Sequence, residues 1–234
     1  MARARRGGAV LLLAGLVVLL VLAVVADRAA QQVAESRAAT QLQAQLGTAE
    51  EPEVDIQGFP FLTQARQQSL SSVRVVADGV RPPGSTTTVQ HVDLKLRDVS
   101  SRDNFATSTA EQVSGTATLD YPTVKTLTGQ SLRYARDDKV EVSAPTTVMG
   151  VPVTAVVVGR PVVDEAEQTL SLTEPQLSVD GVSVPDSAAG ALLDSAVKPA
   201  PVTGVPFGLK LNSVSAQPQG LVAGLTGTDV AFRP

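Results

Sequence analysis

His91 is the only histidine in the chain, and cysteine is absent. Any Ser-His-Asp scheme would have to use His91, while thiol catalysis, disulfides and Cys-ligated zinc are excluded. His91 stands in the alternating stretch His91-Val92-Asp93-Leu94-Lys95-Leu96-Arg97, on the side that carries the charges. That is the place of a solvated strand histidine. No Gly-x-Ser-x-Gly elbow accompanies it. Asp137-Asp138 and Asp103-Asn104 read as polar turns rather than calcium loops. Glu165 and Glu167 have no evident carboxyl partner for acid/base work. No Gly-rich loop follows a strand and opens a helix, so nothing cradles a phosphate. The residues that could do chemistry therefore predict no catalytic site, no metal site and no cofactor.

Composition narrows the partners. The chain has 234 residues, 43% hydrophobic and only 18% charged, which suits a globular chain with a sizeable core. Its 19 basic and 23 acidic residues give −4; without Arg3, Arg5 and Arg6 the remainder is 16 against 23, or −7. An acidic body with 3% aromatics and no Trp argues against nucleic acid as the partner.

Those three arginines precede Ala9–Ala26, an apolar run of 18 residues without a charge. At ~1.5 Å per residue it reaches across a hydrocarbon core of ~30 Å. The arginines predict a cytoplasmic N-terminus and an exported remainder. Two readings stand for residues 1–26: a retained transmembrane anchor, or a signal segment cleaved after the small residues Val24-Val25-Ala26. Residues 27–47 read as a helix ending at Gly47, with Ala30, Ala34, Ala38, Leu42 and Leu46 at i, i+4 spacing. It is expected either as a stalk continuing the membrane helix or as a helix laid across a sheet.

From residue 48 the period becomes that of strands. Val54 and Ile56, Val73 to Ala77, Val92 to Leu96, and Val113 to Leu119 alternate or run apolar. Leu132–Tyr134 and Val140–Val142 flank Asp137-Asp138 as a hairpin, and Val151–Val158 is apolar on both faces. Leu170 to Val179 leads to Asp180-Gly181, a turn signal, and Gly208–Phe232 reads as two more strands. Two short helices are expected, one from Pro122 to Leu127 capped by Asp120 and closed by Gly129, the other from Ala188 to Val197 capped by Asp186 or Ser187. The fold class is α+β, mainly antiparallel, with residues 48–234 as one β-rich domain.

Two apolar strings remain. Gly58-Phe-Pro-Phe-Leu-Thr-Gln64 combines a permissive glycine with a φ-fixing proline, so it is a shaped turn. Phe59 and Phe61 either plug the core or wall an apolar cavity. A related string, GVPFGL, returns at Gly204–Leu209.

In this order the features resemble the LmeA-like phospholipid-binding family of actinobacteria. The carriers of the resemblance are Gly58–Gln64, the segment Leu170 to Pro185, the closing Val205-Pro-Phe-Gly-Leu209, and Gly220, Gly224 and Gly227, over roughly residues 50–234. One departure is Ala65–Ser69, where a glycine is expected in relatives. The resemblance implies a tubular lipid-binding (TULIP-like) domain, a curved antiparallel sheet wrapped round a helix. It also implies binding of phospholipid or a related lipid in the cell envelope, in lipid carriage or in support of envelope glycolipid assembly. Phe59, Phe61, Leu62, Val156, Val158, Phe207 and Leu209 are then the expected lipid contacts. The alternative is a membrane-anchored structural or interaction module for envelope enzymes.

Overall fold

The computed structural model describes residues 4–81, 87–103, 105, 107–148, 151–179, 181–185, 199–202 and 205–232. The helix expected over 188–197 and the turn residues Asn104 and Asp180 lie outside them.

The chain opens with α1 (Ala4–Leu46), one continuous helix. From Leu13 to Val25 its large apolar side chains stand exposed, and the helix is long and apolar enough to cross a membrane. Beyond Ala26 its character changes. Ala30, Ala34, Ala38, Ala39 and Leu42 pack into the main core. Small residues at i, i+4 let a helix approach a sheet closely, so this half of α1 lies on strands. It ends where Gly47 takes φ 62° and its N–H bonds back to the Gln43 carbonyl at 3.0 Å.

Next come β1 (Glu53–Gln57), α2 (Phe61–Arg66), β2 (Ser69–Val80), β3 (Val89–Ser101), β4 (Ser108–Leu119) and α3 (Tyr121–Thr128). They are followed by β5 (Ser131–Tyr134), β6 (Val140–Val148), β7 (Val151–Asp164), β8 (Thr169–Val179), β9 (Val182–Ser183) and β10 (Ala200–Pro201). β11 (Lys210–Gln217) and β12 (Gly220–Phe232) close the described chain. Long apolar helix, antiparallel strands and few short helices make the α+β class expected. α3 has the expected ends: Asp120 accepts from the Thr123 N–H at 2.8 Å, and Gly129 is left-handed.

The strands form two sheets. The first has the order β1-β2-β3-β4-β12-β11, the second β10-β8-β7-β6-β5 with β9 on β8. Every pairing is antiparallel. The period-2 pattern sets the register of the first sheet. Ile56, Val73, Leu96 and Val113 fall in one cross-strand row, and Val54, Val75, Leu94, Gly115 and Leu225 in the next. One face is thus apolar and meets α1. The other is polar, with His91 Nδ1 2.7 Å from Asp78 Oδ1 and Arg74 clamped on Asp93. His91 is therefore a half-exposed strand residue with a surface partner.

β12 pairs with β4 over Leu221–Phe232 and so joins the end of the chain to the middle of the sheet. Two hydrogen-bonded contacts clip the sheets together: the Ala216 N–H donates to Asp138 at 2.5 Å, and the Gln168 side chain brackets Leu211 at 2.8 and 3.0 Å. Gly115 shows how close the backbones run, because a Cβ there would stand 2.0 Å from the Asp93 carbonyl oxygen. Gly115→Ala should destabilise the fold by about 1–3 kcal/mol through this overpacking. Chemical denaturation of the full-length protein measures it, as a lowered midpoint.

Candidate lipid-binding site

The Gly58–Gln64 turn is built from both sides. β1 ends at Gln57, Gly58 takes φ 113°, the Phe59–Pro60 peptide is cis, and α2 begins at Phe61. The stretch is therefore helical from Phe61 on, where the sequence reads as extended. A proline placed at the N-cap of six helical residues leaves little periodicity to see. Gly58 suits its left-handed backbone, and a Cβ there would press to 2.5 Å on the Gln64 amide, which would have to shift. That amide bridges to β2, with Gln64 Oε1 accepting from the Ser71 N–H and hydroxyl at 2.9 and 2.8 Å.

α1 supplies the rest. Asp27, the first charge after the apolar run and 3% exposed, accepts from the Phe61 and Leu62 N–H groups at 3.0 and 2.8 Å. Gln31 donates to the Ile56 carbonyl at 2.7 Å, and Glu35 accepts from the Ile56 N–H at 2.9 Å. Phe61 turns into the core at 7% exposure, while Phe59 and Leu62 face outward at 57% and 49%. The Arg28 guanidinium lies 5.5 Å from the Phe59 ring centroid.

The echo motif lies at the same end of the first sheet. The registers run Gln57↔Ser72, Ser69↔Ser100, Ser101↔Ser108 and Ser108↔Phe232, so all these residues share one sheet end. There the 3₁₀ turn Pro206–Gly208 holds Phe207 at φ 60°, half exposed, with its ring 5.1 Å from that of Phe232. Leu209 beside it is buried in the core. The loop after β3 brings Phe105 to the same end. That loop is shaped by Asp103, whose carboxylate accepts from the Thr107 hydroxyl and N–H and from Ser101.

The profile of the LmeA-like phospholipid-binding family matches residues 25–226, beginning two residues before Asp27 and running through both Phe-bearing turns. The chain belongs to the LmeA-like phospholipid-binding family. This supports lipid binding as its general activity, in a family of binding proteins rather than of known enzymes. No curated protein and no solved structure matches the chain.

Against this family assignment the residues expected from sequence divide into groups. Phe59, Phe61, Leu62, Phe207 and Leu209 come together at one end of the first sheet, two of them inward and three outward. Val156 and Val158 are half-buried on β7 in the second sheet, on the face opposite the buried Ala155 and Val157. Alternation alone hides a further strip. Val73 and Val75 on β2 and Val92 and Leu94 on β3 border the main core and are only partly buried, as are Ala30, Ala34, Ala38 and Leu42 on α1. Their pattern marks them as inward-facing but carries no sign that their cover is incomplete. A surface hollow on the sheet is of another kind. It measures about 520 Å³ and is lined by Ser69, Asp98, Ser100, Thr109, Glu111, Gln112, Thr228 and Asp229, on the polar side. The departure at Ala65–Ser69 falls on Gln68, which is left-handed at φ 53°, the backbone conformation a glycine would accept without strain.

Two outcomes follow from this geometry. Asp27→Ala should cost about 1–3 kcal/mol by stranding two amide donors. Hydrogen exchange should then speed at Phe61 and Leu62 before it does in β3. Hydrogen bonds from Thr107 and Ser101 hold the Asp103 carboxyl below the usual carboxylate range. With the folded pKa depressed, its support for the loop is complete above about pH 4 and is lost as pH falls through the folded value. An acid titration followed at the Phe105 amide by NMR should show the change only below that point, and Asp103→Asn should abolish it.

Proposed function

We propose that the chain is a non-catalytic lipid-holding protein of the cell envelope, with α1 as its membrane anchor and the β-rich domain on the extracytoplasmic side. The observation that carries this is the partly buried aliphatic strip of Val73, Val75, Val92 and Leu94 beside the small-residue face of α1. An acyl chain laid there meets methyl and methylene groups and no charge. Each buried methylene gains ~0.8 kcal/mol relative to water, but it gains the same in a bilayer. Transfer between membrane and protein is then close to neutral, which is what reversible loading requires. Val156 and Val158 on β7 offer a second aliphatic surface to a lipid with two chains. The orientation follows from Arg3, Arg5 and Arg6 ahead of the apolar run. Lipid carriage, or presentation of lipid to an assembly enzyme, is the role that fits.

The full-length protein, purified in mild detergent and examined by native mass spectrometry, should carry co-purified phospholipid. Leu94→Asp should lose it while far-UV circular dichroism stays unchanged. Bare wild-type protein that takes up no phospholipid from vesicles would overturn the reading and favour a membrane-anchored interaction module instead.

A further inference from the structure

The chain has five phenylalanines, and all five sit at one end of the first sheet. Phe61 is core. Phe105 and Phe232 are half-buried, and Phe59 and Phe207 are exposed, with Leu62 exposed beside them. It is also the end at which α1 arrives. Asp27 touches Phe61 and Leu62 there, whereas Leu46 at the other end of the helix accepts from Arg81, beyond the far end of β2. The apolar run therefore leaves the domain immediately beside these exposed rings.

The rings have no structural work that explains their exposure. Gly58, Phe61 and Gln64 account for the shape of the first turn, and a smaller residue at position 59 or 62 would leave their contacts intact. Phe207 sits at a left-handed backbone angle, and its ring lies against Phe232 with about half its surface still exposed. The charged groups at this end agree. Arg28 lies against Phe59, and Arg66 is exposed in the last turn of α2. The carboxylates of Asp27 and Asp103 are taken up by backbone and hydroxyl donors. The acids Asp98, Glu111 and Asp229 lie at this same sheet end, on its polar face, where they line the hollow.

We propose that this sheet end is a membrane-docking surface. Phe59, Leu62 and Phe207 rest in the interfacial layer of the leaflet from which α1 emerges, and Arg28 and Arg66 lie at the depth of the lipid phosphates. The occupant is the phospholipid bilayer itself. The helix run and the three side chains then form one continuous apolar surface, and the domain stands with its strands pointing away from the membrane. The inference rests on the reading of α1 as a membrane anchor.

The absence of Trp makes the test direct, because each introduced tryptophan is the only one in the chain. Phe59→Trp, Leu62→Trp and Phe207→Trp are compared with Leu127→Trp. Leu127 is as exposed as Phe59 but sits on α3 at the opposite end of the sheet. The full-length variants are reconstituted into phosphatidylcholine–phosphatidylglycerol vesicles whose acyl chains are brominated near the headgroup. The fluorophores at positions 59, 62 and 207 should emit at shorter wavelength and lose most of their intensity, while the one at 127 should do neither. Equal emission at 59 and 127 overturns the proposal. In a second arm, protein preloaded with brominated lipid is moved to unbrominated vesicles. Quenching at 59 that persists undiminished there assigns the contact to a held ligand and also overturns docking. Native mass spectra of the same samples separate the two readings. Lipid-loaded protein with unquenched probes defeats docking alone, and quenched probes on lipid-free protein defeat lipid carriage alone.

Discussion

One buried carboxylate joins the two halves of this molecule. Asp27 is the first polar side chain after the apolar run, and burying its charge is tolerable only because two amides answer it. Those amides belong to Phe61 and Leu62, at the open N-terminal turn of α2, where no intrahelical acceptor exists. Each partner thus removes the other's desolvation penalty. With Gln31 and Glu35 gripping both polar groups of Ile56, α1 is tied to β1 and to the turn through backbone atoms as well as through side-chain packing. Chemical identity at positions 59 and 62 hardly enters this arrangement, which frees those two side chains for another task.

What the sequence made legible follows from the range of each interaction. Strands with one covered face announce themselves by alternation, so Val73 to Ala77 and Val92 to Leu96 could be paired on paper before their register was seen. α3 was legible for the same reason, since Asp120 and Gly129 act within a few residues of the helix they bound. α2 was not. Its six residues follow a proline, and its N-terminal acceptor lies 34 residues upstream. The division into two sheets was equally silent. β12 pairs with β4 through contacts more than a hundred residues apart, which no local pattern encodes.

The candidate site shows the same divide. Phe59 and Phe61 look alike in sequence, two rings around one proline. Their fates differ because the start of α2 turns one inward and the other outward. Val156 and Val158 could be recognised as facing away from Val157, but not as belonging to a separate sheet from the Phe-bearing turns. The strip on β2 and β3 carries no separate mark, because partial and full burial leave one period in the sequence. Only packing distinguishes an aliphatic row that α1 covers from one that it leaves partly open.

In the proposed reading, the energetics explain why an anchor, an apolar sheet end and an aliphatic strip would belong on one chain. A strip exchanging acyl chains with a bilayer gains little net free energy, so the hydrophobic effect cannot drive the transfer in either direction. What the protein can change is the water that the chain must cross. Each exposed methylene would cost ~0.8 kcal/mol, and a long chain passing through solvent would meet a barrier proportional to its length. A sheet end seated on the membrane shortens that passage. On the proposed reading of α1 as a retained anchor, the binding there needs only modest strength, because the helix holds the domain at high local concentration. Two aromatic rings and a leucine then suffice to choose the orientation, and a larger apolar surface would hinder the domain from rocking free.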